Sequence, residues 1–315
     1  IQTARSQPTA QPQRLRNSIS DGHTMKCIDA HAHLVHDHKG FHELADSGAF
    51  DEIWLMDLSG YELGGIRLAG EQEVLDAVKA HPGVVYAFGH LDFSQPPEQI
   101  DRLCDKGFTG LKPYKPDTNW NDEKFYPYYE RAEKLGMPVL FHTGMAVRGG
   151  EWRKRRAPGR GFGPDGMRPA YLAGVAEAFP NLKIIGGHLG YPWLEETFHN
   201  LYYCENIVHD ISGYRNAIHE LLQNLDRAAN DGTGRFFHEK LFFATDQFYG
   251  LREENERALK LKQFWMLLFE LIGSVYYRWG TPEEAEKFFY GNAHRFRMEC
   301  CKNQNNTNSL TGEQQ

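Results

Sequence analysis

The chain has 315 residues, 41% hydrophobic and 24% charged, with a formal net charge of −7. That acidic balance argues against a general nucleic-acid binder, which normally carries a basic surplus. No apolar run approaches the ~20 residues of a membrane-spanning helix, so a soluble protein is expected.

Residues 1–24 place Arg5, Arg14 and Arg16 among Gln, Ser and Thr and lack the apolar core of a secretory signal. Scarce acidic residues leave a transit peptide open, but the expectation is a disordered leader, with the folded unit starting at Met25. The first apolar run ends in Asp29-Ala30-His31-Ala32-His33. Alternate side chains of a strand share a face, so Asp29, His31 and His33 are expected side by side. Two imidazoles on one strand form half of a tetrahedral metal site and imply further ligands downstream. Asp29, one layer deeper, could hydrogen-bond a ligand histidine or be a barrel-core polar residue. His36, His38 and His42 follow in the next loop, where they could shape the pocket, bind stray metal or stand exposed.

Strands are expected at Lys26–Leu34, Glu52–Leu58, Val84–Leu91, Thr109–Tyr114, Pro138–His142, Lys183–His188, Ile207–Ile211 and Lys240–Asp246. Between them lie return segments, most with a helical pattern: Glu71–Ala80, Pro97–Cys104, Asp122–Leu135, Pro169–Phe179, Trp193–Tyr202, Asn216–Ala229 and Glu253–Ile272. Pro180-Asn181 and Gly136-Met137-Pro138 stop helices just before strands. Strict alternation implies a parallel sheet, and eight units suit a single (β/α)8 TIM barrel over residues 25–301. A doubly wound sheet would carry a glycine-rich turn after its first strand, and this chain has a histidine pair there. The Gly159–Gly163 run falls late in a loop. Residues 302–315 are Asn/Gln/Thr-rich and are expected to be a disordered tail. Five cysteines, Cys27, Cys104, Cys204, Cys300 and Cys301, lack zinc-finger spacing, and neighbours such as the last two rarely pair. A reducing, cytoplasmic setting fits.

Three strand ends supply candidate ligands: His142 ends the fifth run, His188 the sixth and Asp246 the eighth. Barrel enzymes place their chemistry at these carboxyl ends. His90 and His209, on the third and seventh runs, are further candidate pocket residues. The segment Met145–Arg168 has no clear periodicity and carries Arg148, Arg153, Lys154, Arg155, Arg156, Arg160 and Arg168 against Glu151 and Asp165. Arginine forks suit carboxylates and phosphates, so Arg153, Arg155, Arg156 and Arg168 are candidates for binding an anionic substrate. A solvated or oligomer-facing charge run is the alternative. Trp152 and Phe162 could act as a lid.

Ile28-Asp29-Ala30-His31-Ala32-His33, Phe141-His142-Thr143-Gly144, Gly187-His188-Leu189-Gly190 and Ala244-Thr245-Asp246 resemble the amidohydrolase superfamily. Phe179-Pro180-Asn181-Leu182-Lys183-Ile184-Ile185 and Gly291-Asn292-Ala293-His294-Arg295-Phe296 are similar to its amidohydrolase-2 group, which includes aminocarboxymuconate-semialdehyde decarboxylase-like enzymes. The resemblance runs from about Met25 to Met298. It implies a barrel holding one divalent metal, usually zinc, with His31, His33, His142 and Asp246 as ligands. It also implies that His188 stands beside the metal as an acid/base or polarising group. Zinc lowers the pKa of bound water from about 15.7 to about 7. Asp246 could then accept that water's proton, and His188 could assist the developing oxyanion.

Lys112 ends the fourth strand, where binuclear relatives carry a carboxylated lysine between two metals. It could instead contact a substrate anion, or point to solvent. The expected activity is metal-dependent hydrolysis of a small, carboxylate-bearing lactone, amide or ester. Non-oxidative decarboxylation on the same ligands is the alternative. A catalytically silent barrel and a nuclease, which would want a glutamate in place of Lys112, fit less well. The family often forms homodimers.

Overall fold

A computed structural model describes residues 25–58, 61–63, 65–144, 164–213, 239–275 and 281–300. Eight parallel strands form the barrel wall: β1 (Ile28–Leu34), β2 (Glu52–Met56), β5 (Val85–Leu91), β6 (Gly110–Pro113), β7 (Val139–Phe141), β8 (Ile184–Gly186), β9 (Ile207–Asp210), and an eighth in two pieces, β10 (Leu241–Phe242) and β11 (Phe248–Tyr249). A small hairpin, β3 (Glu62–Leu63) and β4 (Ile66–Arg67), lies in the loop after β2. The returning helices are α1 (Lys39–Asp46), α2 (Glu71–Ala80), α3 (Gln99–Asp105), α4 (Tyr126–Lys134), α5 (Ala170–Ala178), α6 (Leu194–Tyr203), α7 (Arg252–Val275) and α8 (Pro282–Glu286). The expected (β/α)8 architecture is the observed one. The expected helix Asn216–Ala229 lies outside the described residues.

The eighth strand differs from expectation in a way that shapes the mouth. β10 pairs with β9 through Leu241 and Phe242, and β11 pairs with β1 through Phe248 and Tyr249. Between them the chain crosses to β1 on three backbone hydrogen bonds: Ala30 N to Phe243 O, Asp246 N to His31 O and His33 N to Gln247 O. These close the barrel. Asp246 sits in the crossing at φ 54, a left-handed conformation unfavourable for a residue with a Cβ. The 2.7 Å bond from its amide to His31 O helps hold it there.

The expected grouping of Asp29 with His31 and His33 is not what the structure shows. Asp29 pairs with Ile53, but Ala32 pairs with Leu55, so β1 uses three steps where β2 uses two. That is a β-bulge, and an extra residue reverses the alternation of faces. Ile28 and Ala30 join the inner core with Trp54, Met56, Phe88, Leu140, Ile185 and Phe242. Ala32 and Leu34, beyond the bulge, join the outer core between strands and helices. His31 and His33 therefore face the barrel axis, and Asp29 faces outward.

There Asp29 latches the crossing segment. It is fully buried and accepts from Thr245 N (2.9 Å), Thr245 Oγ1 (2.6 Å) and the Tyr249 hydroxyl. Burial raises its pKa to about 6, against the pull of those donors. At the amino end of the barrel, Phe296 and Cys300 of the helix spanning 292–300 plug the inner core. Arg297 of the same helix forks onto Glu52 at 2.9 and 2.7 Å. The opposite, carboxyl end is where the barrel's polar side chains collect.

If the latch holds the closing strand, Tyr249→Phe should cost about 1.5–3 kcal/mol, the range for a hydrogen bond to a charged group. Urea unfolding of the metal-free protein measures this. A loss below about 0.5 kcal/mol would mean that the Tyr249 hydroxyl does not help close the barrel.

Candidate metal centre

Four side chains from three strand ends converge at the carboxyl mouth. His31 and His33 come from β1, His142 follows β7, and Asp246 lies in the crossing of the eighth strand. His33 Nε2 lies 3.2 Å and His31 Nε2 3.8 Å from Asp246 Oδ1. Among the described residues, His31, His33 and Asp246 form one of two groups whose donor atoms are close enough to share an ion. The other, His31, His188 and Asp210, is linked by hydrogen bonds. His142 and His188 are close neighbours, with ring centroids 4.4 Å apart.

The hydrogen-bond partners decide which ring nitrogens are free. The assignment starts at Asp210, the last residue of β9, which is fully buried. Burial opposes its ionisation, but His31, His188 and Ser212 hold its carboxyl well below the usual range. An ionised carboxylate only accepts. Asp210 Oδ2 therefore takes the Nδ1 hydrogen of His31 at 2.9 Å, which leaves a lone pair on His31 Nε2. Asp210 Oδ1 accepts the amides of His188 (3.0 Å) and Ser212 (2.9 Å) and the Ser212 hydroxyl (2.5 Å). With its hydrogen committed there, Ser212 Oγ must accept from His188 Nδ1 at 2.9 Å.

The proton order continues across the pocket. His188 Nε2 then carries a lone pair and takes the Nδ1 hydrogen of His142 at 3.0 Å. That leaves a lone pair on His142 Nε2, which is buried without a partner, as is His31 Nε2. His33 Nδ1 gives its hydrogen to Met56 O at 3.1 Å, so in the neutral ring Nε2 keeps a lone pair facing Asp246 Oδ1 at 3.2 Å, an arrangement that an ion between the two would satisfy. Three imidazole lone pairs and the Asp246 carboxylate are thus available. Orphaned buried nitrogens of this kind are costly unless something binds them. The donor set suits an imidazole-preferring divalent ion such as zinc.

Electrostatics agree with this inventory. Burial lowers the pKa of His31 to about 3 and depresses those of His142 and His188, so all three are neutral at pH 7. Burial opposes ionisation of Asp246, yet His188, His33 and His31 hold its pKa well below normal. His188 has φ 62 and ψ 24, a left-handed conformation held through its amide bond to Asp210. Gly144, two residues past His142, has φ 79, and a Cβ there would lie 2.3 Å from Tyr191 O, so only glycine fits. Trp120 Nε1 donates to His142 O at 2.9 Å.

Lys112 ends up inside. Its side chain is buried, its Nζ has no hydrogen-bond partner, and burial lowers its pKa to about 8. The solvent-facing alternative is excluded. His90 pairs with Lys112 in the β5–β6 register and lines a cavity of about 470 Å³ with Tyr61, Tyr114, Lys115 and Tyr128. Tyr114 joins that cavity to the centre, its ring edge-on to His142 at 5.4 Å. His209 does not reach the site. It faces the outer layer, against Gly186, where a Cβ would lie 2.1 Å from its ring. Arg168 forks onto Glu196 and lies over Trp193, so its charge is met on the protein. Arg153, Arg155 and Arg156 lie outside the described residues.

Sequence reasoning missed Asp210, Ser212 and Tyr114. The signal for Asp210 was the strand end Ile207-Val208-His209-Asp210, where alternation from inward Val208 points to the aspartate instead of the histidine.

The amidohydrolase family profile, of the amidohydrolase-2 group, matches residues 28–296. No curated protein sequence matches the chain. Solved structures share the fold at low identity. An uncharacterized TIM-barrel protein from Bordetella bronchiseptica aligns with a TM-score of 0.60 and 18% identity, over 87% of this chain and 99% of its own. A probable 2-pyrone-4,6-dicarboxylic acid hydrolase from Acinetobacter baumannii, solved with citric acid bound, aligns at 0.55 and 16%, over 87% and 99%. The 5-carboxyvanillate decarboxylase of Sphingomonas paucimobilis aligns at 0.51 and 14%, also over 87% and 99%.

Asp210 touches no metal position itself but orients His31, so Asp210→Asn should weaken divalent metal affinity about 10–100-fold with the four ligands intact. Competition with a fluorescent chelator measures this. Unchanged affinity would remove Asp210 from the organisation of the centre.

Proposed function

The chain belongs to the amidohydrolase-2 family, an enzyme family of metal-dependent hydrolases and decarboxylases, and from that premise we propose that it hydrolyses a small, anionic lactone, amide or ester. The observation that carries this reading is the set of three imidazole lone pairs facing an ionised Asp246 in the barrel mouth. A single divalent ion, proposed to be zinc, would be held by His31, His33, His142 and Asp246. When bound, such an ion polarises a carbonyl and makes water a nucleophile at neutral pH.

The chain's own residues supply the rest. Asp246 is ionised at neutral pH and partly open to solvent, with 26% of its side chain exposed. It is placed to take a proton from attacking water and return it to the leaving group. His188 differs from the expectation that it simply donates to an oxyanion. Its Nδ1 hydrogen goes to Ser212 and its Nε2 lone pair accepts from His142, so it has no N–H to offer an oxyanion and becomes a donor to the pocket only after taking up a proton at Nε2. The 470 Å³ cavity beside the centre has room for a small molecule.

An anionic substrate is supported by Lys112, a cation at pH 7 with no internal hydrogen bond. The basic residues Arg153, Arg155 and Arg156 extend that proposal through their sequence alone. The Acinetobacter and Sphingomonas proteins are named for carboxylate-bearing compounds, which fits the same substrate class. Decarboxylation would use the same residues, with a proton delivered to carbon in place of the departing CO₂. Product analysis separates the two: bicarbonate release without net water addition would replace hydrolysis by decarboxylation. A reducing, cytoplasmic location is part of the proposal and is supported by free Cys27, Cys104, Cys204 and Cys300. No helix among the described residues is long and apolar enough to cross a membrane.

Asp246→Asn should lower kcat at least about 10³-fold with an unchanged circular-dichroism spectrum, and full activity in that variant would refute the mechanism. Lys112→Met should raise KM for a carboxylate substrate about tenfold or more, the ~1.4 kcal/mol scale of one charged contact. Metal content should stay at one equivalent. Loss of a second equivalent would assign Lys112 to a carboxylated, metal-bridging role instead.

A further inference from the structure

The cavity beside the metal centre has a chemical character of its own. It lies where the chain leaves β5 and β6, and six of the residues that line it carry aromatic or imidazole rings. These rings form two packed trios. Tyr61 stands perpendicular to both His90 (centroids 5.4 Å apart, 89°) and Tyr114 (5.1 Å, 86°). Phe93 packs on Phe125 at 4.2 Å and edge-on to Tyr128 at 5.0 Å, and the Tyr128 hydroxyl donates to Gln95 O at 2.6 Å.

Tyr114 is common to the cavity and the centre, since its ring also meets His142 edge-on. Tyr61 and Tyr114 further belong to an apolar cluster with Leu58, Leu63, Leu68 and Phe248, and Phe248 stacks on the ring of His33 at 5.7 Å. An apolar wall thus runs from the cavity to two of the proposed ligands. The charges that line the cavity balance. Lys124 pairs with Asp117, and the Asp92 carboxylate accepts the Ser94 amide at 2.9 Å. Lys115 Nζ lies 4.8 Å from the centre of the Tyr114 ring, and burial lowers its pKa to about 7. Among the described residues, two carboxylates therefore face two amines, one of them half-deprotonated at pH 7. A second anion entering here would lose its hydration without a surplus of positive charge to replace it.

We propose that this cavity is a subsite for an uncharged aromatic ring, and that Tyr61 and Tyr114 are the residues that select it. The inference rests on the reading of the mouth as the site of an anionic carbonyl compound: the charged, reacting end stays at the mouth and the ring projects into the cavity. The preferred substrate is then an aryl-bearing monoanion, not a dicarboxylate. Rings favour edge-to-face packing at centroid separations of about 4.5–7 Å, and a substrate ring would extend the packing that the two trios already show. A saturated group of the same size would gain the buried area but not that contact.

Calorimetric titration of the Zn²⁺-loaded full chain with simple acids tests this. Phenylacetate should bind about fivefold or more tightly than cyclohexylacetate, which matches it in size but has no π face. A second carboxylate on the far side of the ring, as in p-phenylenediacetate, should weaken binding by a similar factor. Tyr61→Ala should erase the aryl advantage and leave the affinity for acetate unchanged, while Tyr61→Phe should keep both. Equal binding of the phenyl and cyclohexyl acids, or tighter binding of the diacid, would overturn the subsite and leave the hydrolase reading intact. Bicarbonate as the reaction product would replace hydrolysis and leave the ring preference standing. Binding of none of these acids would remove the anionic substrate and the subsite together.

Discussion

The arrangement of the mouth depends on one buried carboxylate. Asp210 has no solvent contact and accepts from both ring and backbone groups on three sides. Left without those donors, a buried charge would cost several kcal/mol, so the surrounding groups must keep their orientation. Its two oxygens divide the work. One fixes the proton of His31, and the other holds the His188 backbone in a left-handed turn and engages Ser212. Through Ser212 the same carboxylate sets the proton on His188, and through His188 that on His142. One charge thus determines the free nitrogen of three rings.

The barrel makes that possible by breaking its own regularity in two places. A bulge in β1 turns His31 and His33 to the axis and leaves Asp29 outside, where it anchors the segment that carries Asp246. The eighth strand is interrupted at the same level, so Asp246 leaves the ladder and enters the mouth. Both irregularities sit at the carboxyl end, while the amino end is sealed by the helix over residues 292–300 and its Arg297–Glu52 fork. The inner core below the site is packed with Trp54, Phe88 and Phe242. Chemistry and stability therefore occupy opposite ends, as in other barrels of this kind.

Much of this was legible in the sequence. Eight apolar runs separated by amphipathic segments specify a (β/α)8 wall, and strand-end histidines are conspicuous because polar residues are rare at the end of a buried strand. The bulge was not legible, because alternation assumes an unbroken pleat, and Asp29-Ala30-His31 reads equally well with Asp29 on either face. His209 and Asp210 show a related limit: adjacent polar residues at one strand end face opposite ways, and only the phase of the preceding apolar residues separates them. Lys112 could be placed on a strand end from sequence, but its burial and unpaired Nζ depend on neighbours far away in the chain.

The most direct measurement is the protonation pattern of the histidine rings in the metal-free protein, by long-range proton–nitrogen NMR correlation of ¹⁵N-labelled imidazoles. The account predicts that His31 and His188 carry their hydrogen on Nδ1, with unprotonated Nε2 atoms facing the pocket. A His31 ring protonated at Nε2 would turn its lone pair toward Asp210, leave no prepared ligand on β1 at that position, and contradict the assignment.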